Sequence, residues 1–309
     1  MDAADTADTA VGIPSLRVVK PGAGERPSEP RSVPVLEPPP NGLAARVAHW
    51  LGAVHPVRAF VVTVLAGYAL LVGVTIAAGF VLTSYVVAND GVEKWDNGVN
   101  RWLAERRDPT LTDLSWIGST LAGGLVIPVV VGVLLVGFLL RRKWLLAAFT
   151  LFVIAVESGS YRATTLVVER DRPPVHRLEG LDPTASFPSG HIAATVALYG
   201  GVLLVLSSRI GRRWFSALAL VVTLALVLFV GWARMYRGMH HVTDTAAGVL
   251  VGVLALAVTL FAARVATAAA TTRDAEKRGA PGGTICYSSE RSERASGTER
   301  APQRERVTL

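Results

Sequence analysis

Long apolar blocks alternate along this chain with short polar stretches rich in arginine. The blocks fall at roughly 59–87, 115–140, 144–168, 191–208, 214–233 and 245–267. A helix crosses a bilayer core about 30 Å thick with roughly 20 apolar residues, and each block meets or approaches that length. The first contains VVTVLAGYALLVGVTIAAGFVLTSYVV, the fifth FSALALVVTLALVLFVGW and the sixth AAGVLVGVLALAVTLFAA. None shows the alternation of a membrane barrel strand. Pro128, inside the second block, predicts a kink that packed neighbours tolerate. The pattern predicts an all-α, polytopic integral membrane protein with six transmembrane helices. Six buried helices of a soluble core are the alternative, and the number and length of the blocks argue against it.

The ends lack this pattern. Residues 1–45 are polar and proline-rich, with Pro27, Pro30, Pro34, Pro38, Pro39 and Pro40. No positive region leads directly into a short apolar core and cleavage site, so no signal peptide is expected. Residues 271–309 are mainly Arg, Glu, Ser, Thr and Gly. Both tails are expected to be disordered, because they cannot bury enough surface to offset chain entropy. The expected organisation is a Pro-rich tail at 1–45, a six-helix membrane domain at 46–270 and a second tail at 271–309.

Composition agrees with the pattern. Of 309 residues, 51% are hydrophobic and 18% charged, against about 25% charged in soluble domains. Mean hydropathy is +0.41. The single cysteine, Cys286, excludes an intramolecular disulfide and a cysteine metal cluster. The net charge of +7 raises nucleic acid as a partner, but its location answers otherwise. Arg46 and Arg58, then Arg141, Arg142 and Lys143, then Arg209, Arg212 and Arg213, then Arg264, Arg273, Lys277 and Arg278 fall on one side if the helices alternate. The positive-inside rule makes that side cytoplasmic. Both termini are then cytoplasmic, and the loops at 88–114, 169–190 and 234–244 face outward from the cell's inner (plasma) membrane. No zinc-finger spacing or RNP-like aromatic motif points to nucleic acid.

Histidine is scarce, with six in the chain, yet His176, His191, His240 and His241 all fall on the outer side next to helix ends. Three stretches converge there: Arg170-Asp171-Arg172-Pro173, Pro188-Ser189-Gly190-His191, and Arg234 to Asp244 as RMYRGMHHVTD. Arg172 and Arg234 can grip phosphate oxygens as bidentate forks. Ser189 and Gly190 precede an apolar helix whose N-terminal N–H groups suit an anion, and Gly190 lets backbone approach closely. Two histidines can divide the work of nucleophile and general acid. Asp244, four residues after His240, is expected to accept the ring Nδ1–H and leave Nε2 free to attack. The set reads as phosphoryl transfer through a phosphohistidine, with the arginines supplying the positive charge and no metal or other cofactor.

These stretches resemble the three signatures of the type-2 phosphatidic-acid phosphatase family, which is related to the vanadium haloperoxidases. The family pattern is Lys, six residues, Arg-Pro; Pro-Ser-Gly-His; and Ser-Arg, five residues, His, three residues, Asp. Arg172-Pro173 matches the end of the first, Pro188 to His191 match the second, and Arg234, His240 and Asp244 match the third at the right spacing. The resemblance spans roughly residues 57–267. It implies that His240 attacks phosphorus, Asp244 orients it, and His191 protonates the leaving oxygen and then activates water. It also implies that Arg172, Arg234, Ser189 and Gly190 hold the phosphoryl oxygens. Two positions depart from the pattern: Thr165 stands where the family has Lys, and Ala233 where it usually has Ser. Arg162 or Arg170 is expected to supply the missing cation, with Arg162 favoured because it lies in an apolar span.

The expected function is a metal-independent membrane phosphatase acting on a lipid phosphomonoester or pyrophosphate. Candidate substrates are undecaprenyl pyrophosphate, phosphatidic acid and phosphatidylglycerol phosphate. The scarcity of lysine (Lys20, Lys94, Lys143 and Lys277) against abundant Arg, Ala, Val and Gly resembles a high-GC bacterial chain and tilts the choice toward the first. A lipid phosphotransferase with the same site and a non-catalytic transporter or scaffold are the alternatives. Of the remaining polar residues, His241 is expected at a pocket wall or surface, His176 in solvent and Arg237 as a rim charge. Glu157 offers Arg162 an alternative role in an intramembrane ion pair. Trp95, Trp102 and Trp116 fit an interfacial aromatic belt. Segment 92–107, with Val92, Trp95, Val99, Trp102 and Leu103 at helical spacing, predicts an amphipathic helix on the outer surface.

Overall fold

The computed structural model describes residues 33–39, 41–52, 54–87, 90–180 and 184–277. Helix α1 (Leu43–Trp50) precedes the long apolar α2 (Pro56–Val81), which runs on through a π turn at Leu82–Val86. Helices α3 (Asp90–Ala104), α4 (Pro109–Leu121), α5 (Val126–Leu140) and α6 (Trp144–Val167) follow. Then come α7 (Gly190–Ala194), a π segment (Thr195–Gly200) and α8 (Gly201–Ile210), which together make one span. Helices α9 (Arg213–Tyr236) and α10 (Val242–Lys277) complete the order. Among the described residues no strand forms, and the one β-bridge joins Arg170 to Ala185.

Five helical spans are long and apolar enough to cross a membrane, and the α4–α5 pair, bent by 41°, makes a sixth. The protein is thus an all-α, polytopic membrane protein. Its exposed surface carries Leu65, Leu70, Val133, Leu220, Leu224 and Leu228, an apolar extent that a water-facing surface rarely shows. The bend in the second span is not at Pro128. It lies at Gly123-Gly124, between α4 and α5, while Pro128 sits in the first turn of α5. There the missing N–H has no intrahelical partner to lose.

Local signals set the helix ends near the site. Pro109 opens α4, with Asp108 capping the Leu111 N–H at 3.0 Å. Helix α9 ends at Tyr236, capped by Arg237, and the chain turns at Gly238 (φ +71°), where an added Cβ would fall 2.8 Å from Val175. Helix α10 packs against α1, α2, α6 and α7. Its Gly248 and Gly252 allow close backbone contact: a Cβ there would lie 2.5 Å from the Ser189 carbonyl and 2.6 Å from the Ala193 carbonyl. Small residues spaced by four let membrane helices approach backbone to backbone.

Two boundaries differ from those expected. Helix α10 continues to Lys277, past residue 270. Part of the first tail is ordered: Pro34–Leu36 form a 3-10 turn, Leu36 is buried in the main apolar cluster, and Arg264 Nε donates to the Val35 carbonyl at 3.0 Å. The expected disorder of residues 1–32 and 278–309 lies outside the described residues.

Candidate active site

One end of the bundle gathers the three signature stretches. Backbone bonds strap the first to the second: the Arg170 N–H donates to the Thr184 carbonyl (3.0 Å) and the Ser186 N–H to the Arg170 carbonyl (3.1 Å). The second is tied to the third, because the Ser189 N–H donates to the Asp244 carbonyl at 3.1 Å. The Arg172 guanidinium spans both, donating to the Ala185 carbonyl at 2.8 Å and to the Met239 carbonyl. Residues far apart in sequence are thereby fixed by main-chain atoms, which hold position better than paired flexible side chains.

Arg234 is fully buried, with 0% exposure. Its Nη1 donates to Glu179 Oε2 at 2.7 Å and to Ser119 Oγ at 2.5 Å. Its Nε and Nη2, which form the side-on fork of a guanidinium, are buried without a partner, and so is Ser189 Oγ. A buried polar group without a partner costs about 1–3 kcal/mol, more when charged. Orphaned donors on two signature residues can take the oxygens of an anion. Gly190 lies against the Tyr161 ring, 3.1 Å from the position a Cβ would take.

Two histidines border this place. Arg234, Arg172 and His191 all bear electrostatically on His240, and Arg234, Glu179 and Arg172 on His191. Burial, and Arg234 next, push the His240 imidazole well below its usual 6.5, with Asp244 pulling the other way. His240 is therefore neutral at pH 7. Its Nδ1 lies 2.7 Å from the Ser186 carbonyl. A carbonyl only accepts, so Nδ1 carries the proton and Nε2 the lone pair.

That bond corrects the expected Asp244–His240 contact. The Asp244 carboxylate instead accepts from Arg170, from Ser186 Oγ at 2.6 Å, from the His241 N–H at 2.8 Å and from His241 Nδ1 at 3.2 Å. His241, expected at a wall or surface, is the histidine that meets Asp244; its Nε2 meets Asn97 Oδ1 at 3.1 Å. The i, i+4 spacing of His240 and Asp244 does not produce a helical pair because α10 begins only at Val242.

Other expectations change as well. Arg170 is committed to Asp96 (2.9 Å), Asp244 and Thr243 (2.7 Å), so its guanidinium serves as a brace rather than as the missing cation. Arg162 is exposed on α6, and Glu157 is buried on the same helix with its bond from Ser158; the two form no ion pair. Thr165 Oγ1 donates to the Tyr161 carbonyl at 2.9 Å and approaches the Phe187 carbonyl at 3.4 Å. The position of the family lysine thus faces the second signature, with a hydroxyl in place of a charge. Arg237 is buried, donating to Glu179 Oε1 at 2.5 Å and Ser115 Oγ at 3.1 Å, and is not a rim charge. His176 is exposed, as expected.

Two features escaped sequence reading. Burial alone would raise the Glu179 carboxyl, but the Arg234 charge and hydrogen bonds from Arg234, Ser119 and Arg237 hold it at about 2 against an ordinary 4.5. Helix α3 turns its polar stripe inward and leaves Trp95 and Trp102 exposed. Asn100 Nδ2 donates to the carbonyls of Met235 (3.2 Å) and His240 (3.0 Å), and Asp96 accepts from Arg170 and Thr243. The spacing of Asp96, Asn97 and Asn100 on one helical face is the signal that could have found it. Among the described residues no group of three or more His, Cys, Asp or Glu is arranged to hold a metal ion.

Residues 142–267 match the model of the PAP2 superfamily. A transmembrane PAP2-type phosphatidylglycerolphosphate phosphatase from Bacillus subtilis, solved by crystallography, superposes with a TM-score of 0.54 at 21% identity, covering 60% of this chain and 92% of that one. LpxE of Aquifex aeolicus gives a TM-score of 0.42 at 22% identity, covering 54% and 94%. A search of curated proteins finds no match. The fold is that of a multi-span membrane protein and is shared with the B. subtilis structure. The matched stretch contains all three signatures, from Arg172 to Asp244.

Proposed function

We propose that this chain is an integral-membrane lipid phosphatase that works through a phosphohistidine on His240. The observation that carries the reading is the buried, unpartnered fork of Arg234 together with Ser189 Oγ, beside a neutral imidazole whose Nδ1 is spoken for. A phosphoryl group supplies the acceptors those donors lack. His240 Nε2 attacks phosphorus, forming the N–P bond as the bond to the leaving oxygen breaks, and His191 gives that oxygen its proton. Water then attacks phosphorus, His191 takes its proton, and the N–P bond returns its electron pair to Nε2. Arg172, Arg234, Ser189 and the Gly190 N–H hold the phosphoryl oxygens, and Asp244 fixes the site around His240. With Thr165 uncharged and Arg170 braced, the charge at the cradle comes from Arg172 and Arg234. Guanidinium groups take the place a metal holds in other phosphoryl transfers, so activity is expected to persist with a chelator.

The catalytic body, expected at 46–270, takes in the packed residues from Val33 to Lys277. The Arg- and Lys-bearing ends, at 141–143, 209–213 and beyond 264, support a site on the extracytoplasmic side of the plasma membrane with both termini cytoplasmic. A lipid phosphomonoester or pyrophosphate arriving laterally through the bilayer suits a cradle set at the end of apolar helices. The B. subtilis structure that shares the fold is a phosphatidylglycerolphosphate phosphatase, which supports a lipid phosphate. Phosphatidylglycerol phosphate, phosphatidic acid and undecaprenyl pyrophosphate are the substrates to test. The experiment is phosphate release from each by the purified chain in detergent with chelator present, with His240→Ala alongside. Release that His240→Ala abolishes is expected. Absence of release from every lipid phosphate would favour a non-catalytic membrane protein.

A further inference from the structure

We propose that Ser186 is a positioning residue that couples Asp244 to the His240 imidazole, replacing a direct bond between the aspartate and the histidine. The proposal rests on the phosphatase reading of the site and adds to it how the nucleophile is held.

Three polar atoms of Ser186 are engaged, each with a different part of the site. Its N–H donates to the Arg170 carbonyl at 3.1 Å, its hydroxyl donates to Asp244 Oδ2 at 2.6 Å, and its carbonyl accepts from His240 Nδ1 at 2.7 Å. The residue is fully buried, so water does not compete for these bonds. Asp244 is saturated by other donors: Arg170 takes Oδ1, and the His241 backbone and ring take Oδ2 beside the Ser186 hydroxyl. Arg170 is itself fixed by Asp96. A continuous chain therefore runs from Asp96 through Arg170, Asp244 and Ser186 to the ring.

This chain has a chemical consequence. When Nε2 bonds to phosphorus the ring gains positive charge and Nδ1–H becomes a stronger donor. The acceptor waiting for it is a carbonyl dipole whose direction is set by the hydroxyl and the N–H of the same residue. Without the hydroxyl, the 185–187 backbone loses its tie to Asp244, the carbonyl that sets the ring's tautomer is held less firmly, and Asp244 loses its route to the nucleophile. Asp244 and Ser186 then form one unit, and deleting both costs little more than deleting either.

The test uses the full chain in detergent with phosphatidic acid as substrate and compares wild type, Ser186→Ala, Ser186→Thr, Asp244→Ala and the Ser186→Ala/Asp244→Ala double variant. Expected are a tenfold or greater fall in kcat for Ser186→Ala with KM within about twofold, recovery to within about threefold of wild type in Ser186→Thr, and a double variant within about threefold of Asp244→Ala. Multiplying losses in the double variant, or an unimpaired Ser186→Ala, would overturn the coupling. A second measurement does not depend on turnover: the imidazole 15N spectrum of the unliganded chain. It should show His240 neutral with its proton on Nδ1 in wild type, and a tautomer mixture in Ser186→Ala. A wild-type ring protonated on Nε2 refutes the proposal whatever the activity. A correct tautomer in a chain that hydrolyses no lipid phosphate instead refutes the phosphatase reading and, with it, the catalytic role given to Ser186.

Discussion

Replacing Arg234 with lysine keeps the charge and removes the fork. In the folded protein Nη1 is committed to Glu179 and Ser119, which leaves Nε–H and Nη2–H side by side without an acceptor. A phosphoryl group seated on that edge gains two charge-assisted hydrogen bonds, each worth about 1.5–3 kcal/mol. A lysine ammonium is a compact point charge on a flexible stem, and at this depth it satisfies Glu179 or the phosphate but not both. Taking the loss at about 3 kcal/mol, and one decade of rate per about 1.36 kcal/mol, Arg234→Lys lowers kcat/KM roughly a hundredfold. The assay is phosphate release from phosphatidic acid in detergent micelles, with a thermal melt to establish that the variant is folded. A folded Arg234→Lys protein within about threefold of wild type would refute the side-on fork as the phosphate grip.

Other consequences follow from the same contacts. The Glu179 carboxyl is held at about 2 against 4.5, so its pairing stabilises the fold fully above pH 4.5 and is lost as pH falls through that value toward 2. The melting-temperature gap between wild type and Glu179→Gln should be full at pH 7 and less than half as large at pH 3; an unchanged gap contradicts the assignment. Asp96→Ala removes one of the two carboxylates that pair with buried Arg170. At about 3 kcal/mol, the low end for a broken buried pair, it should lower the melting temperature by roughly 6–12 °C; no shift would show that Asp244 alone suffices. Gly248→Val should abolish folding or activity, because its Cβ would lie 2.5 Å from the Ser189 carbonyl, whereas Gly132→Val, with open space around it, should behave as wild type.

The parts of the site that were legible in the sequence are those where chemistry demands a residue type at a fixed spacing. Arg172, Pro188 to His191, Arg234, His240 and Asp244 stand at such spacings, and alternation of the apolar blocks brings them to one end. The supporting layer was not legible. Glu179, Asp96, Asn100 and Ser186 work through partners separated by tens of residues or more, and no local period reports such a pairing. Helix α3 shows the difficulty. Its tryptophans have the spacing of an interfacial helix and are indeed exposed, yet that spacing says nothing of the polar stripe behind them, which braces Arg170 and the carbonyl of His240. The His240–Asp244 spacing misled for a related reason: a helical rule was applied to a residue that lies before the helix begins.

Trapping the phosphoenzyme tests whether His240 carries the phosphoryl group. Wild-type protein is mixed with a lipid labelled in the phosphoryl group, quenched within the first turnover, and examined for label that is stable to alkali and labile to acid. Such label is expected on wild type and none on His240→Ala. Label that survives in His240→Ala, or full turnover by that variant, would contradict it.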